Sequence, residues 1–369
     1  MSRRLTVDLR IEDRKVIPER NLSGVTMKIS LRSVVSKMTD SQHPQNKILG
    51  FGRNSLPWLD KPWRQIDDYV DSLDPQPADP ELLRRNLVHW MRHGYVVLEN
   101  VIEHELIDAY LADIRDMLAD YQNQNVLIHS DILNHRPIHE YPKENVEALS
   151  ADRDRVHMRI VDFHSYSLAG KKLSLHRAVT DFVSHMFLDD VVLLQTLTFM
   201  RSSEQAQHQD FAYVPSHIPS QLCAAWVALE DISPDSGPLA YIPGSHPGRK
   251  FDWGDGIFRT EKSARTDAEF AAHLHEQGRL NHNEMITFCP KKGDVLIWHG
   301  ALSHGGSPIN NPELTRKSYV THYSQASTHF WEYRDRNQTA ERRPLNGHHY
   351  HVSPLDPENE DIFRNGEDL

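Results

Sequence analysis

The alternation of short β-type segments with turns from residue 191 onward is the feature that most restricts how this chain folds. Each segment is rich in apolar, β-branched or aromatic residues, and prolines and glycines separate the segments, as in antiparallel sandwiches and barrels. The predicted strands are Val191–Met200, Gln207–Val214, Leu222–Leu229, Leu239–Ile242, Glu284–Phe288, Val295–His299 and Ser318–Ser324. We therefore expect a rolled antiparallel sheet in this part of the chain.

The chain before residue 190 carries helical periodicity instead. Apolar residues recur at helical spacing in three segments, which are predicted as helices over Pro80–His93, Glu103–Tyr121 and Ser174–Phe187. Tyr95–Leu98 is a short β-type run after a glycine. Helices followed by a run of strands favour an α+β fold.

The same patterns suggest one main domain with two flanking segments. Residues 1–80 are polar, end in a proline-rich stretch and are predicted as an N-terminal extension and linker. Residues 81–345 are predicted to form the domain, and residues 346–369 an acidic C-terminal tail. The hydrophobic share of 38% is adequate for one core with long polar loops.

Charge and cysteine content narrow the class of protein. The chain has 41 Lys+Arg against 52 Asp+Glu, a formal net charge of -11, which argues against a general nucleic-acid binder. Membrane insertion is not expected, because no apolar stretch approaches the roughly 18–20 residues that span a bilayer, and the start lacks the apolar region of a signal peptide. Cys223 and Cys289 both have apolar neighbours and are predicted to be buried free thiols. We therefore expect a cytoplasmic protein; its oligomeric state is left open.

The segment His208-Gln209-Asp210 is the first candidate for chemistry. Alternate residues of a strand point to one face, so the imidazole and the carboxylate can reach into one barrel together. Two histidines and one carboxylate with open coordination positions form the ligand set of non-haem Fe(II) oxygenases. The motif alone is weak, because the chain contains 24 His and 52 acidic residues.

The third ligand and an anchoring cation are sought downstream. His299 ends a predicted strand and His304 follows it, and the two glycines after His304 suit a tight turn beside a ligand. Arg316 offers a bidentate fork for the far carboxylate of an acidic cosubstrate such as 2-oxoglutarate. Ser318, two residues further on, adds a hydroxyl. The alternative for Arg316 is an ordinary surface arginine.

An ordered set of motifs resembles the phytanoyl-CoA dioxygenase (PhyH) family of Fe(II)/2-oxoglutarate oxygenases over roughly residues 85–325. These motifs are His208–Pro215, Ala225–Glu230, Ser236–Leu239, Ile242–His246, Gly293-Asp294, His299, His304 and Arg316. The resemblance implies a double-stranded β-helix (jelly-roll, cupin-like) core with N-terminal flanking helices, and it implies Fe(II), 2-oxoglutarate and O2 as cofactor and cosubstrates.

The resemblance also implies roles for individual residues. His208, Asp210 and His304 would be the iron ligands and the catalytic centre, and Arg316 would anchor 2-oxoglutarate. Trp226 would form a wall of the cosubstrate pocket, although a tryptophan on a sheet face is more often simply core. Gln195 on the preceding strand would be a polar contact.

Asp210 bears on the reaction type. Halogenases of this superfamily carry Ala or Gly in place of the carboxylate, so the resemblance implies hydroxylation of an unactivated C–H with release of succinate and CO2. The expected substrate is a small or carrier-linked metabolite. Desaturation, cyclisation and epimerisation remain alternatives, as does a non-catalytic binding module on a degenerate oxygenase fold.

Two long segments are candidates for lids. Residues 248–283 are predicted to close over substrate and set specificity, the alternative being a decorated surface loop. Residues 122–155 are an irregular, charged second candidate. The arginines of the charge run Asp152–Arg159 most simply form a solvated face, or alternatively contact an anionic substrate.

Overall fold

Most helices of this protein precede its barrel strands along the chain, as the sequence predicts. The structure is a computed structural model that describes residues 65–130, 136–150, 158–214, 219–327 and 342–351. The helices are α1 (Gln65–Asp71), α2 (Pro80–His93), α3 (His104–Ala119), α4 (Lys143–Ser150), α5 (Leu168–Ser174), α6 (Arg177–Phe187) and α7 (Asp267–Leu280). The strands are β1 (Tyr95–Leu98), β2 (Leu127–Ser130), β3 (Arg136–Pro137), β4 (Met158–Val161), β5 (Val191–Phe199), β6 (Leu222–Ala228), β7 (Leu239–Tyr241), β8 (Ile286–Phe288), β9 (Val295–His299), β10 (His304–Gly306), β11 (Ser318–Gln325), β12 (Arg342–Leu345) and β13 (His348–His351).

The strands form two sheets that enclose a barrel interior. A ten-stranded sheet runs β1-β9-β6-β11-β5-β4-β2-β3, with the β12–β13 hairpin joined to β5. A three-stranded sheet runs β10-β7-β8, and a bridge between His208 and His304 extends it by one position. The central order β5-β11-β6-β9 facing 208-β10-β7-β8 is the arrangement of a double-stranded β-helix. The predicted α+β class with an antiparallel core is confirmed.

Packing separates an inner from an outer core. Side chains of both sheets, among them Trp226, Leu239 and Leu296, form one buried cluster inside the barrel. A larger cluster lies where the helices cover the other face of the large sheet, with Tyr319 and Trp90 among its fully buried members. Burial on both faces explains why β6 and β9 are apolar along nearly their whole length.

Helix α2 has the bounds that the sequence predicts, because its ends carry strong local signals. The Asp79 side chain accepts a hydrogen bond from Leu82 N at 2.8 Å, and Pro80 occupies the first turn. Gly94 ends the helix in the left-handed conformation, with φ of 76°. This glycine leads directly into β1.

The predicted helix Ser174–Phe187 is wrong as a single element. It is divided into α5 and α6, because the His176 side chain accepts a hydrogen bond from Ala178 N and starts a new helix. Ser174 belongs to the end of α5, where its hydroxyl bonds to the Tyr319 hydroxyl at 2.6 Å. The helical periodicity continues across the break, which is why the sequence pattern does not reveal it.

The predicted strand Gln207–Val214 is also wrong. Only His208 makes a bridge, and Asp210–Ala212 forms a 3-10 turn. The amides of Tyr213 and Val214 both donate to the Asp210 carbonyl, at 2.9 and 2.8 Å. These groups are satisfied inside the turn, so no ladder continues beyond the bridge.

Three further predictions agree with the structure only in part: the irregular segment 122–155, the N-terminal extension and the domain boundary at residue 345. Within 122–155, predicted as irregular, the described residues contain β2, β3 and α4, while 131–135 and 151–155 lie outside the described residues. Helix α1 lies in the predicted extension, yet its Ile66 and Val70 are fully buried in the core. The β12–β13 hairpin crosses the predicted boundary at residue 345. The domain limits themselves stay a prediction, and residues 1–64 and 352–369 lie outside the described part of the chain.

The two cysteines differ in burial, and the helices are relevant to the expected absence of membrane insertion. Cys223 is buried as predicted, but Cys289 is exposed, because β8 lies at the edge of the small sheet. Among the described residues, no helix is long and apolar enough to cross a lipid bilayer.

Candidate metal and cosubstrate site

The bridge between the two sheets brings the predicted ligands together. His208 N donates to His304 O at 2.8 Å, and His304 N donates to His208 O at 3.0 Å. The two imidazole rings lie 4.3 Å apart between centroids. One ligand atom from each of His208, Asp210 and His304 lies within 4.8 Å of the other two. The three side chains therefore form one buried cluster at the end of the barrel.

Both histidines are held in the tautomer that a metal requires. His208 Nδ1 lies 2.9 Å from Ala206 O, and His304 Nδ1 lies 3.0 Å from Leu302 O. A carbonyl only accepts, so in the neutral ring Nδ1 carries the hydrogen and Nε2 presents its lone pair. Burial, with the neighbouring His304, lowers the pKa of His208 to about 3, so this ring is neutral at physiological pH.

Asp210 faces both of these Nε2 atoms with one oxygen. Its Oδ1 lies 3.6 Å from His208 Nε2 and 3.4 Å from His304 Nε2. Burial alone would raise the pKa of Asp210, but the histidines around it, His304 first among them, hold the pKa below its usual value. Two imidazole nitrogens and one carboxylate oxygen thus converge on one point, a donor set that suits a divalent cation.

Two residues that sequence reasoning missed contact the other oxygen of Asp210. The indole Nε1 of Trp298 donates to Asp210 Oδ2 at 2.7 Å, and His322 Nε2 lies 3.4 Å from the same atom. A signal for His322 was available, because it lies four residues after Ser318 on β11 and so shares its face of the strand.

The predicted anchor Arg316 is buried beside a small aromatic cage. It is only 3% exposed, and its guanidinium carbon lies 5.5 Å from the Phe199 ring and 5.8 Å from the Trp226 ring. Its Nη1 donates to Ser318 Oγ at 2.9 Å. Burial lowers the pKa of Arg316 to about 10, with Glu230 acting in the opposite direction, so the group remains charged at neutral pH.

The region around Arg316 has unused hydrogen-bond donors. Arg316 Nε and Trp226 Nε1 are both buried and find no hydrogen-bond partner among the described residues. Arg316 also has no ion pair with a described carboxylate. A buried guanidinium left in this state is costly. An anion of the right size placed here would satisfy both donors.

Glu230 fixes the backbone on either side of Arg316. Its Oε1 accepts from Thr315 Oγ1 at 2.7 Å and from Lys317 N at 2.8 Å. These hydrogen bonds fix the residues on both sides of Arg316, just before β11 begins, and so restrict where its side chain can lie.

Gln195 and His299, the remaining polar candidates, both make hydrogen-bonding contacts with other residues of the barrel. Gln195 Nε2 lies 3.3 Å from His322 Nδ1, so this side chain sits at the level of Asp210 and away from Ser318. His299 is buried, accepts a hydrogen bond from Ala301 N at 2.8 Å, and packs against Trp90. His299 lies outside the metal-ligating group, whereas His304 lies within it.

The insertion 248–283 packs against the turn that carries Asp210. Arg259 N donates to Ala212 O at 2.8 Å, and the Tyr213 hydroxyl donates to Asp267 Oδ1 at 2.7 Å. The Tyr213 ring lies 6.1 Å from the His208 ring. The insertion thus reaches the edge of the candidate site through Tyr213. Of the arginines in the charge run, Arg159 lies in β4 opposite Phe199, and the others lie outside the described residues.

Comparisons with known proteins agree with the sequence motifs. The family model described as Phytanoyl-CoA dioxygenase (PhyH) matches residues 90–318, more than half of this chain. Phytanoyl-CoA dioxygenase domain-containing protein 1 of Danio rerio is 27% identical over 189 residues, which are 49% of this chain and 62% of the relative. Phytanoyl-CoA dioxygenase, peroxisomal, of Homo sapiens is 27% identical over 143 residues, which are 37% of this chain and 38% of the relative. The chain thus spans less than two thirds of the length of these curated relatives.

Solved structures give more distant likenesses. The non-heme alpha ketoglutarate dependent epimerase SnoN from nogalamycin biosynthesis is 21% identical, covers 68% of this chain and 86% of its own, and has a TM-score of 0.49. EctD from S. alaskensis, solved with 2-oxoglutarate and 5-hydroxyectoine, is 19% identical, with coverages of 73% and 88% and a TM-score of 0.49.

Proposed function

The chain belongs to the phytanoyl-CoA dioxygenase (PhyH) family of Fe(II)/2-oxoglutarate-dependent oxygenases, and on that premise we propose that it hydroxylates an unactivated C–H of a small or carrier-linked metabolite. The observation that carries the proposal is a tautomer-fixed His-Asp-His cluster in the same barrel as a buried arginine, Arg316, that has no ion pair among the described residues. Either feature alone has a structural explanation. Together they provide for a divalent metal and for an acidic cosubstrate.

His208, Asp210 and His304 would hold the Fe(II) ion. Each histidine directs a lone pair toward Asp210 Oδ1, and hydrogen bonds from Nδ1 to backbone carbonyls keep the rings from rotating. When bound, the ferrous ion supplies activation of O2 coupled to the conversion of 2-oxoglutarate to succinate and CO2. The protein contributes a dry cavity and a fixed set of donors.

Arg316 would bind the far carboxylate of 2-oxoglutarate. The guanidinium is held by Ser318 and by Glu230-braced backbone, and its Nε is available for the ligand. Trp226 supplies one wall and a second free N–H. Gln195 would contribute less to binding 2-oxoglutarate, because its amide already contacts His322 and lies near the metal ligands, away from Arg316.

We assign the choice of substrate to the insertion 248–283. It is joined to the ligand-bearing turn through Tyr213, whose hydroxyl is bound to Asp267, which in turn pairs with Arg259. The Tyr213 ring lies 6.1 Å from the His208 ring, so Tyr213 would border a substrate bound beside His208. Desaturation, cyclisation and epimerisation use the same protein groups and remain alternatives to hydroxylation, and a cytoplasmic location stays a prediction.

The proposal is tested by anaerobic addition of Fe(II) and 2-oxoglutarate, followed by oxygen. We expect a visible metal-to-ligand charge-transfer band before oxygen and succinate after it. A protein that shows neither would be the non-catalytic binding module considered as the alternative. A band that depends on iron but not on 2-oxoglutarate would indicate an iron enzyme with another cosubstrate.

Arg316→Ala is expected to raise the 2-oxoglutarate concentration needed for half-maximal turnover by about 100-fold. Charge-assisted hydrogen bonds are worth about 1.5–3 kcal/mol each, and 1.4 kcal/mol corresponds to a factor of ten. Metal affinity should be unchanged, because Arg316 is not among the ligand atoms. The measurement is succinate formation against 2-oxoglutarate concentration, with Co(II) binding measured in parallel.

The control for this experiment is Arg279→Ala. Arg279 lies on the exposed face of α7 and pairs only with Glu276 three residues before it, so its loss should leave both measurements at wild-type values. An Arg316→Ala protein with wild-type dependence on 2-oxoglutarate would contradict the anchoring role.

A further inference from the structure

One row of side chains crosses the large sheet beneath Asp210. The strand registers place Gln195, His322, Ala224, Trp298 and Tyr95 opposite one another on β5, β11, β6, β9 and β1. Residues directly opposite on neighbouring strands point to the same face. The row therefore lines the barrel interior at the level of the candidate metal ligands.

The smallest side chain of the row lies between Trp298, which donates to Asp210 Oδ2, and His322, which contacts the same oxygen. Ala224 pairs with His322 on one side and with Trp298 on the other. Neighbouring Cβ atoms are about 4.5–5.5 Å apart, so His322 and Trp298 flank a gap that only a methyl group fills. The Asp210 carboxylate reaches both flanking side chains above this methyl group, because its Oδ2 accepts from Trp298 Nε1 at 2.7 Å and lies 3.4 Å from His322 Nε2.

Gln195 determines which nitrogen of His322 carries the hydrogen. The amide Nε2 of Gln195 is a donor, and it lies 3.3 Å from His322 Nδ1. In the neutral ring Nδ1 is therefore the acceptor and Nε2 carries the hydrogen, 3.4 Å from Asp210 Oδ2. This contact lacks the geometry of a hydrogen bond, but it places the N–H of His322 beside the metal-ligating carboxylate, with Gln195 behind the ring.

We propose that Trp298, which donates to Asp210 Oδ2, and His322, whose Nε2 contacts the same oxygen, are positioning residues that hold Oδ2 from either side of Ala224 and so leave Oδ1 as the oxygen for the metal. The inference rests on the proposed function, because it concerns the same metal centre. Without these two contacts the carboxylate is free to turn about its side-chain torsions, and its second oxygen is buried without a partner. Partners of this kind are worth about 10–100-fold in metal affinity in other sites.

The test measures Co(II) binding to the full chain without oxygen or cosubstrate, by titration and by the visible absorption of the bound ion. His322→Leu and Trp298→Phe are each expected to weaken Co(II) binding about 10–100-fold and to alter the visible spectrum. His322→Gln should restore much of the affinity, because its amide also brings an N–H toward Asp210. Ala224→Val should weaken binding by filling the gap.

Ala228→Val is the matched control. Ala228 lies on the same strand and face as Ala224 but pairs with Ser318, four residues along β11 from His322. It adds the same two methyl groups to the same barrel wall, and it should lower thermal stability to a similar degree. Its Co(II) affinity and spectrum should remain those of the wild type.

Three outcomes decide the matter. The positioning role is supported if His322→Leu, Trp298→Phe and Ala224→Val weaken Co(II) binding and His322→Gln recovers much of the affinity. The Ala228→Val control must bind Co(II) as the wild type does. Folded His322→Leu and Trp298→Phe proteins with wild-type affinity and spectrum overturn it, as does a His322→Gln variant no better than His322→Leu. If wild-type protein fails to bind Co(II), or His208→Ala binds it equally well, the metal centre itself is refuted and the positioning role with it.

Discussion

Alanine at His304 is expected to abolish both metal binding and succinate formation. The substitution removes one of only three ligand atoms in the described cluster, and a site with one histidine and one carboxylate does not hold Fe(II) against water at micromolar concentration. Turnover should fall to the level of metal-depleted wild type. The measurements are iron stoichiometry after anaerobic loading and the rate of succinate release. The same result is expected for His208→Ala and for Asp210→Ala.

His299→Ala is the informative control, since the sequence alone leaves His299 and His304 as competitors. His299 is equally buried, and its loss leaves Ala301 N without the acceptor it now has at 2.8 Å. That costs about 1–3 kcal/mol of stability, but the folded protein should still bind one equivalent of metal. Loss of metal from His299→Ala with retention by His304→Ala would reverse the ligand assignment.

The fold was predictable wherever local signals and burial agree. Helix α2 carries a capping aspartate, a proline in its first turn and a glycine after its end, so the observed bounds equal the predicted ones. The strands β9 and β11 are recognisable because apolar and β-branched residues run between turn residues. Helix α7 was not predicted within the insertion 248–283, although the Thr266 and Glu269 capping box marks its start.

The sequence predicts which residues form the metal and cosubstrate site, but not how the fold brings them together. The motif order indicates His208, Asp210, His304 and Arg316, yet the strand argument for the first two is wrong. Their convergence comes from a single bridge followed by a tight turn, which depends on backbone contacts far apart in the chain. The spacing of His322 from Ser318 predicts that both lie on one face of β11, but the contacts of His322 and Trp298 with Asp210 depend on strand register, which is fixed by the packed sheet and not by local sequence.

Gly305→Ala is expected to disrupt the metal centre without touching a ligand. A Cβ at residue 305 would lie 2.7 Å from Gln205 O and 3.1 Å from Gln207 N, both of them backbone atoms. The φ of Gly305 is outside the left-handed region, so the effect is one of contact alone. The strand segment ending at His208 must move away from β10, and the His208–His304 bridge opens. Overpacking of this kind costs about 1–3 kcal/mol.

The measurement is Co(II) affinity beside the free energy of unfolding, with Gly278→Ala as the control. A Cβ at Gly278 would lie 3.1 Å from the flexible end of the Ile242 side chain and at an ordinary contact distance of 3.5 Å from Asn283 O, and alanine is favoured over glycine within a helix by about 1 kcal/mol. Gly278→Ala should therefore keep wild-type affinity with equal or higher stability. Gly305→Ala should bind Co(II) at least about tenfold more weakly, the equivalent of 1.4 kcal/mol. Unchanged affinity in that variant would mean that the ligand geometry does not depend on the close approach of these two backbones.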